Sequence, residues 1–206
     1  MPNRTAPESR GAQFLVNAVS LAVAAILAVG LLSAFASKSR ASELLPWTDG
    51  PKPAFVLQNL GGADVNLESY RGRVLLVHFF ATWCEPCREE LPALSRLIER
   101  AGGTKIAVLA ISVAEVDLRV RRFMETMPVK FPVLLDRDRA VTKAWDVSAL
   151  PTTFVLDENL QPKLLSESDF AWDSVEPGKL IDMIAAHGGK KANATEIKAN
   201  PNQNGG

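Results

Sequence analysis

The chain has 206 residues in which 23 Lys and Arg balance 23 Asp and Glu, and no basic run breaks that balance, so charge gives nucleic-acid binding no support. With only two cysteines and two histidines, an intramolecular structural zinc site would need all four to converge, which makes it a poor expectation. With the ends set aside, enough chain remains for one domain with a sizeable core.

The segment from Gly11 to Ser37 carries no charge, and Phe14 to Leu32 is dominated by Ala, Val, Leu and Ile. As a helix, that stretch would be about 28 Å long, close to the thickness of a hydrocarbon core. It exceeds the usual apolar core of a cleaved signal peptide, although Ala34-Phe35-Ala36 has the small-x-small form of a cleavage site. Arg4 and Arg10 precede the segment and Lys38 and Arg40 follow it, so flanking positive charge is nearly tied. We read 1–11 as a short cytoplasmic tail and 12–36 as a transmembrane signal anchor, with removal after Ala36 as the other reading. Either way the remainder is expected outside the cytoplasm, in the periplasm, held at the inner membrane by a single pass where the anchor is kept.

Lys38 to Pro53 is polar and contains Pro46, Pro51 and Pro53, so 37–50 reads as a linker. Phe55-Val56-Leu57 and Val65-Asn66-Leu67 flank Gly61-Gly62 and predict a small hairpin. The unbroken apolar run Val74–Phe80 predicts a fully buried strand. Glu85 to about Ala101 predicts a helix, with Leu91, Leu94, Leu97 and Ile98 on one face and Gly102-Gly103 to end it. Further expectations are a strand at Ile106–Ile111, a helix at Glu115–Met127, a strand at Phe131–Leu135 and a short helix at Arg139–Trp145. Thr153–Leu156 and Lys163–Leu165 pair as a hairpin across Glu158-Asn159, and Pro177–His187 closes the domain as a helix. Residues 189–206, rich in Asn, Lys and Gly, are expected to be a disordered tail; the sequon Asn193-Ala194-Thr195 there is a short pattern that chance supplies often. The predicted order is hairpin, β-α-β-α, then β-β-α over residues 51–188. It implies an α/β fold with a central mixed sheet flanked by helices on both faces.

The two cysteines lie in Trp83-Cys84-Glu85-Pro86-Cys87-Arg88, between the predicted buried strand and helix. A Cys-x-x-Cys pair can close and reopen a small disulfide ring, a two-electron switch. At a helix N-terminus, unpaired backbone N–H groups and the macrodipole favour a thiolate at Cys84. A purely structural disulfide is the competing reading, but so short a loop would constrain little of the unfolded chain. No cofactor or metal is implied.

The chain resembles the TlpA/ResA-like membrane-anchored thiol-disulfide oxidoreductases of the thioredoxin superfamily. The resemblance rests on Phe79–Pro92, on Phe131-Pro132-Val133-Leu134-Leu135-Asp136, and on Val147–Phe154 with its Leu150-Pro151-Thr152 core. It covers about Pro51 to His187 and implies a thioredoxin-like fold with an N-terminal β-hairpin. It also implies that Cys84 is the exposed attacking thiol, that Cys87 resolves the mixed disulfide, and that Pro151 is a cis-proline opposite the pair. Pro92 matches the superfamily's helix-kinking proline.

Glu90, three residues after Cys87, matches the active-site Glu of ResA-like proteins, implying control of thiol pKa and proton shuttling. An exposed carboxylate in the run Arg88-Glu89-Glu90 is the other reading. His78 departs from the family, where Asp or Asn is usual. It reads either as a near-neutral base for Cys87 or as a hydrogen-bonded core histidine.

The expected function is therefore reduction of disulfides in client proteins. The resemblance suggests apo-cytochrome c, in cytochrome c maturation, or copper-carrying assembly factors of the terminal oxidase. A membrane thiol reductase of the DsbD/CcdA kind would supply electrons. Two alternatives stand beside this: a chaperone-like peptide binder without turnover, and a thiol peroxidase. Against the peroxidase, its Pro-x-x-x-Thr-x-x-Cys signature would need Pro and Thr where Val77 and Ala81 stand.

Overall fold

The computed structural model describes residues 43–102 and 105–195. The expected cytoplasmic tail 1–11, the expected anchor at 12–36, the first part of the linker and the end of the tail lie outside the described residues. Among the described residues, no helix is long and apolar enough to cross a membrane.

The core of the fold is β4 (Val74–Phe80), whose seven residues are all buried. It is sandwiched in a six-stranded sheet of order β1-β8-β7-β4-β5-β6, formed with β1 (Leu45–Pro46), β5 (Ile106–Val113), β6 (Val133–Asp136), β7 (Thr152–Leu156) and β8 (Pro162–Ser166). β4, β5 and β6 run parallel, while β7, β8 and β1 are added antiparallel, so the sheet is mixed. β2 (Val56–Gln58) and β3 (Asp64–Asn66) form the predicted separate hairpin. Its turn is closed by Asn59 Oδ1, which accepts from the Gly61 and Ala63 amides, with Gly62 at φ +85° where a side chain would be strained. A bridge between Asn59 and Leu134 ties the hairpin to β6.

Alternation along β4 divides its side chains between two apolar layers. Leu75, Val77 and Phe79 join Phe55, Phe154 and Trp145, so this layer is covered by the hairpin and by α3 (Ala140–Ala144). Leu76 and Phe80 face α1 (Glu85–Arg100), α2 (Asp117–Thr126) and α4 (Pro177–Thr195) through Leu91, Leu94, Leu97, Val120, Leu180 and Ile184. Fully burying each such side chain contributes about 1.5–3 kcal/mol.

Several strand ends shift by one or two residues, and three differences go further. Leu45-Pro46, expected in the linker, pairs with Leu165 and Leu164 at the sheet edge, and Trp47 packs edge-on against Phe154 at 5.3 Å. A two-residue strand has no periodicity to reveal it. α2 begins at Asp117 rather than Glu115, because Ala114 adopts φ 57° and the Glu115 side chain turns inward. The closing helix continues past His187 to Thr195, so the first part of the expected disordered tail is helical.

Candidate active site

Cys84 and Cys87 form a disulfide at the start of α1, with Cα atoms 5.3 Å apart. Cys84 is the N-cap residue in extended conformation, and its Sγ accepts from the Cys87 amide at 3.4 Å. Pro86 sits in the first turn, where its missing N–H costs nothing. The Cys87 amide is directed at the Cys84 sulfur at the positive end of the helix, the arrangement that favours a thiolate. Cys87 is wholly buried, while Cys84 is 6% exposed. Cys84 is thus the more accessible sulfur, though far less open than the exposed thiol expected; its neighbour Trp83, at 67% exposure, is what projects.

The Leu150–Pro151 peptide is cis and leads directly into β7. Because Phe79 pairs with Thr152, the register carries this peptide toward the loop that leaves β4 for Cys84. Leu150 packs against the cluster containing both cysteines.

Behind the disulfide, Glu90 is buried at 4% exposure, so the exposed-carboxylate reading does not hold. Its Oε1 accepts from the Phe170 amide at 2.7 Å and its Oε2 from the Trp172 indole at 2.9 Å. Burial pushes its carboxyl up to about 7, with Asp169 adding to the rise and those two hydrogen bonds opposing it.

His78 stands opposite Thr153 in the β4–β7 register, and its Nδ1 lies 2.9 Å from Thr153 Oγ1 and 3.6 Å from Glu90 Oε2. Its Nε2 is buried without a hydrogen-bond partner. Complete burial drives its pKa down to about 3, so the imidazole is neutral at pH 7 and the 3.6 Å contact with Glu90 is not an ion pair. The expectation that His78 titrates near neutrality is therefore corrected: nothing charged compensates its desolvation, and Glu90 is the group that titrates there.

A further buried carboxylate, which the sequence offered only as a helix start, supports the loop in front of Cys84. Glu115 Oε2 accepts from the Thr82 amide and from Ser112 Oγ, each at 2.9 Å, and Glu115 Oε1 accepts from Thr82 Oγ1. Thr82 and Glu115 are 33 residues apart, so no local spacing could have paired them.

Residues 49–161, more than half of the chain, match the AhpC/TSA family. The chain is 37% identical over 123 residues to the thiol-disulfide oxidoreductase ResA of Bacillus subtilis, which spans 60% of this chain and 66% of that protein. It is 35% identical over 124 residues to ResA of Geobacillus kaustophilus, 60% of this chain and 71% of that one. The chain thus spans about two thirds of the length of these relatives. Among solved structures, a thiol:disulfide interchange protein DsbE from Chlorobium tepidum superposes with a TM-score of 0.57 at 26% identity, over 68% of this chain and 97% of that one. With its paired cysteines at the helix start and this matched span, the chain belongs to the AhpC/TSA family, among the ResA-like thiol-disulfide oxidoreductases of the thioredoxin superfamily.

Proposed function

We propose that this oxidoreductase reduces disulfides in client proteins outside the cytoplasm, with Cys84 attacking and Cys87 resolving. The observation that carries the reading is the Cys84–Cys87 disulfide at a helix start with a buried carboxyl one turn behind it. In the reduced protein, the Cys84 thiolate attacks one client sulfur; a mixed disulfide forms and the other client sulfur leaves as a thiolate that takes up a proton. Cys87 then loses its proton and its sulfur attacks Cys84, which expels the first client sulfur. Two electrons have passed to the client, and the Cys84–Cys87 bond is remade.

Glu90 is the acceptor for the Cys87 proton in this scheme. It lies three residues further along α1, a spacing that sets Cβ atoms about 5–6 Å apart. A carboxyl with a pKa of about 7 can both take and return a proton at neutral pH. His78 is a neutral positioning group, hydrogen-bonded to Thr153 and packed within 3.6 Å of Glu90. Pro151 and the backbone of Leu150 offer the surface along which an extended client segment pairs.

The family resemblance supports apo-cytochrome c or copper-carrying assembly factors as clients and a membrane thiol reductase of the DsbD/CcdA kind as electron donor. The charge-free stretch 12–36 supports an anchor in the inner membrane with the domain in the periplasm.

The test is a Cys87→Ser variant, which should hold clients covalently on Cys84 for identification, alongside equilibration of the wild-type protein with glutathione. A reduction potential near the about −120 mV of DsbA would overturn the reductase direction. The pH profile of exchange separates the roles: Glu90→Gln should remove the inflection near pH 7, and His78→Asn should retain it. An inflection that survives Glu90→Gln removes Glu90 from the proton path.

A further inference from the structure

A cavity of about 550 Å³ opens beside the disulfide, between Trp83, which precedes Cys84, and Leu150, which precedes the cis-proline. Its walls are largely apolar, with Val113, Ala114 and Val147 among them, and it has one charged lining residue, Arg139. Trp83, on the lining, is exposed, and Val116 and Leu118, two and four residues beyond Ala114 in the chain, are exposed apolar side chains as well. Such clustering marks a surface that meets another molecule.

Several charged residues at this end of the molecule have partners, although Asp138, next to Arg139 in the chain, keeps its charge. Arg137 forms a two-pronged pair with Asp117 at 2.7 Å, Glu85 pairs with Arg88 at 3.2 Å, and Glu115 is held by Thr82 and Ser112. Asp138 Oδ1 accepts from the Ala140 amide at 3.0 Å. Arg139 itself is exposed and has no ion-pair partner among the described residues. Its backbone is fixed in the left-handed region at φ 64°, as is that of Ala114 across the cavity at φ 57°, a conformation that residues with side chains seldom adopt without support. The support is visible: Asp136, wholly buried, accepts from the Val141 and Thr142 amides and from Thr142 Oγ1, which pins the turn that presents Arg139.

From this geometry we infer that the cavity is a client subsite that favours polypeptide segments carrying acidic side chains beside the reactive cysteine, with Arg139 as the selecting residue. The inference rests on the client-reducing reading and adds the chemistry of the client. Apolar residues of the segment fill the cavity between Trp83 and Leu150, and a carboxylate of the same segment pairs with Arg139. One solvent-exposed pair of this kind changes affinity by about fivefold at most and acts partly through the encounter rate.

The experiment uses three synthetic peptides, each with one internal disulfide and identical except for three Asp, three Asn or three Lys directly after the second cysteine. Second-order rate constants for their reduction by the reduced protein are expected to fall from the Asp to the Asn to the Lys peptide, about tenfold across the series, and to converge in high salt. Arg139→Gln should collapse the series and Arg139→Glu should reverse it. The ratio between peptides is internal to each variant, so a general loss of rate does not mimic the result. Reduction of all three with the same ratio in the wild type and in Arg139→Glu overturns the subsite and leaves the reductase reading standing. Failure to reduce any of the peptides overturns both.

Discussion

The two sides of the Cys84–Cys87 disulfide are built on opposite principles. Behind it, Glu90 and His78 are sealed from water, and their protonation is shifted in opposite directions by the same cause: burial raises the carboxyl to about 7 and lowers the imidazole to about 3. In front of it, Trp83 projects into solvent and the neighbouring cavity is rimmed by apolar side chains and one cation. Desolvation controls where protons go on the buried side, whereas shape and unpaired charge control what can approach on the open side. A substitution behind the disulfide should therefore be read in pH profiles, and one in front of it in discrimination between clients.

The largest expected effect on that contrast comes from His78. In the folded, oxidised protein it stays neutral down to about pH 3, whereas the unfolded chain protonates near 6.5, so stability falls by about 5 kcal/mol as pH drops between those values. His78→Asn should abolish that loss, measured by denaturant unfolding from pH 3 to 8. Glu90 has the reverse sign. Its folded pKa is raised, so its contribution is fully present below the ordinary value of 4.5 and about 3 kcal/mol is lost as pH rises to about 7. Glu90→Gln should remove that loss. Between pH 4.5 and 6.5 the two slopes oppose each other, and the wild type should be nearly flat there; a steep wild-type curve in that window would show that the two groups do not titrate as the buried side requires.

A smaller effect is expected at Glu115, whose carboxylate receives two donors from Thr82 and one from Ser112. Glu115→Ala leaves Ser112 and the partly buried Thr82 without this partner and should cost about 1–3 kcal/mol, while also slowing exchange because the loop before Cys84 loses its tether. Unfolding curves read the first consequence and exchange rates the second. The smallest stability effect belongs to the open side: Trp83→Ala should change unfolding free energy by no more than about 0.5 kcal/mol while slowing reduction of peptide disulfides. A Trp83 variant as destabilised as Glu115→Ala would erase the distinction between the two sides.

Much of this was legible in the chain itself. The run Val74–Phe80 announced the central strand because a strand covered on both faces needs no alternation, and the Cys-x-x-Cys spacing marked where the disulfide lies. Glu90 could be found by position but not by environment: in Arg88-Glu89-Glu90 it looks like a surface charge, and only the packing of Phe170 and Trp172 over α1 takes it from water. Glu115 and Arg139 escaped altogether, since the role of each depends on loops that meet only once the sheet is assembled. The edge strand β1 escaped because two residues carry no period. Local patterns therefore exposed the paired sulfurs and the elements that carry them, while the environment of every other group at the site is a product of tertiary structure.

The indole of Trp172 donates to the same carboxyl oxygen that faces His78. A proton arriving on Glu90 weakens that acceptor and alters the polarity felt by the ring, so emission from Trp172 should shift as the carboxyl changes state. In the mechanism proposed above, this indole would report each protonation of the buried acid without an attached label.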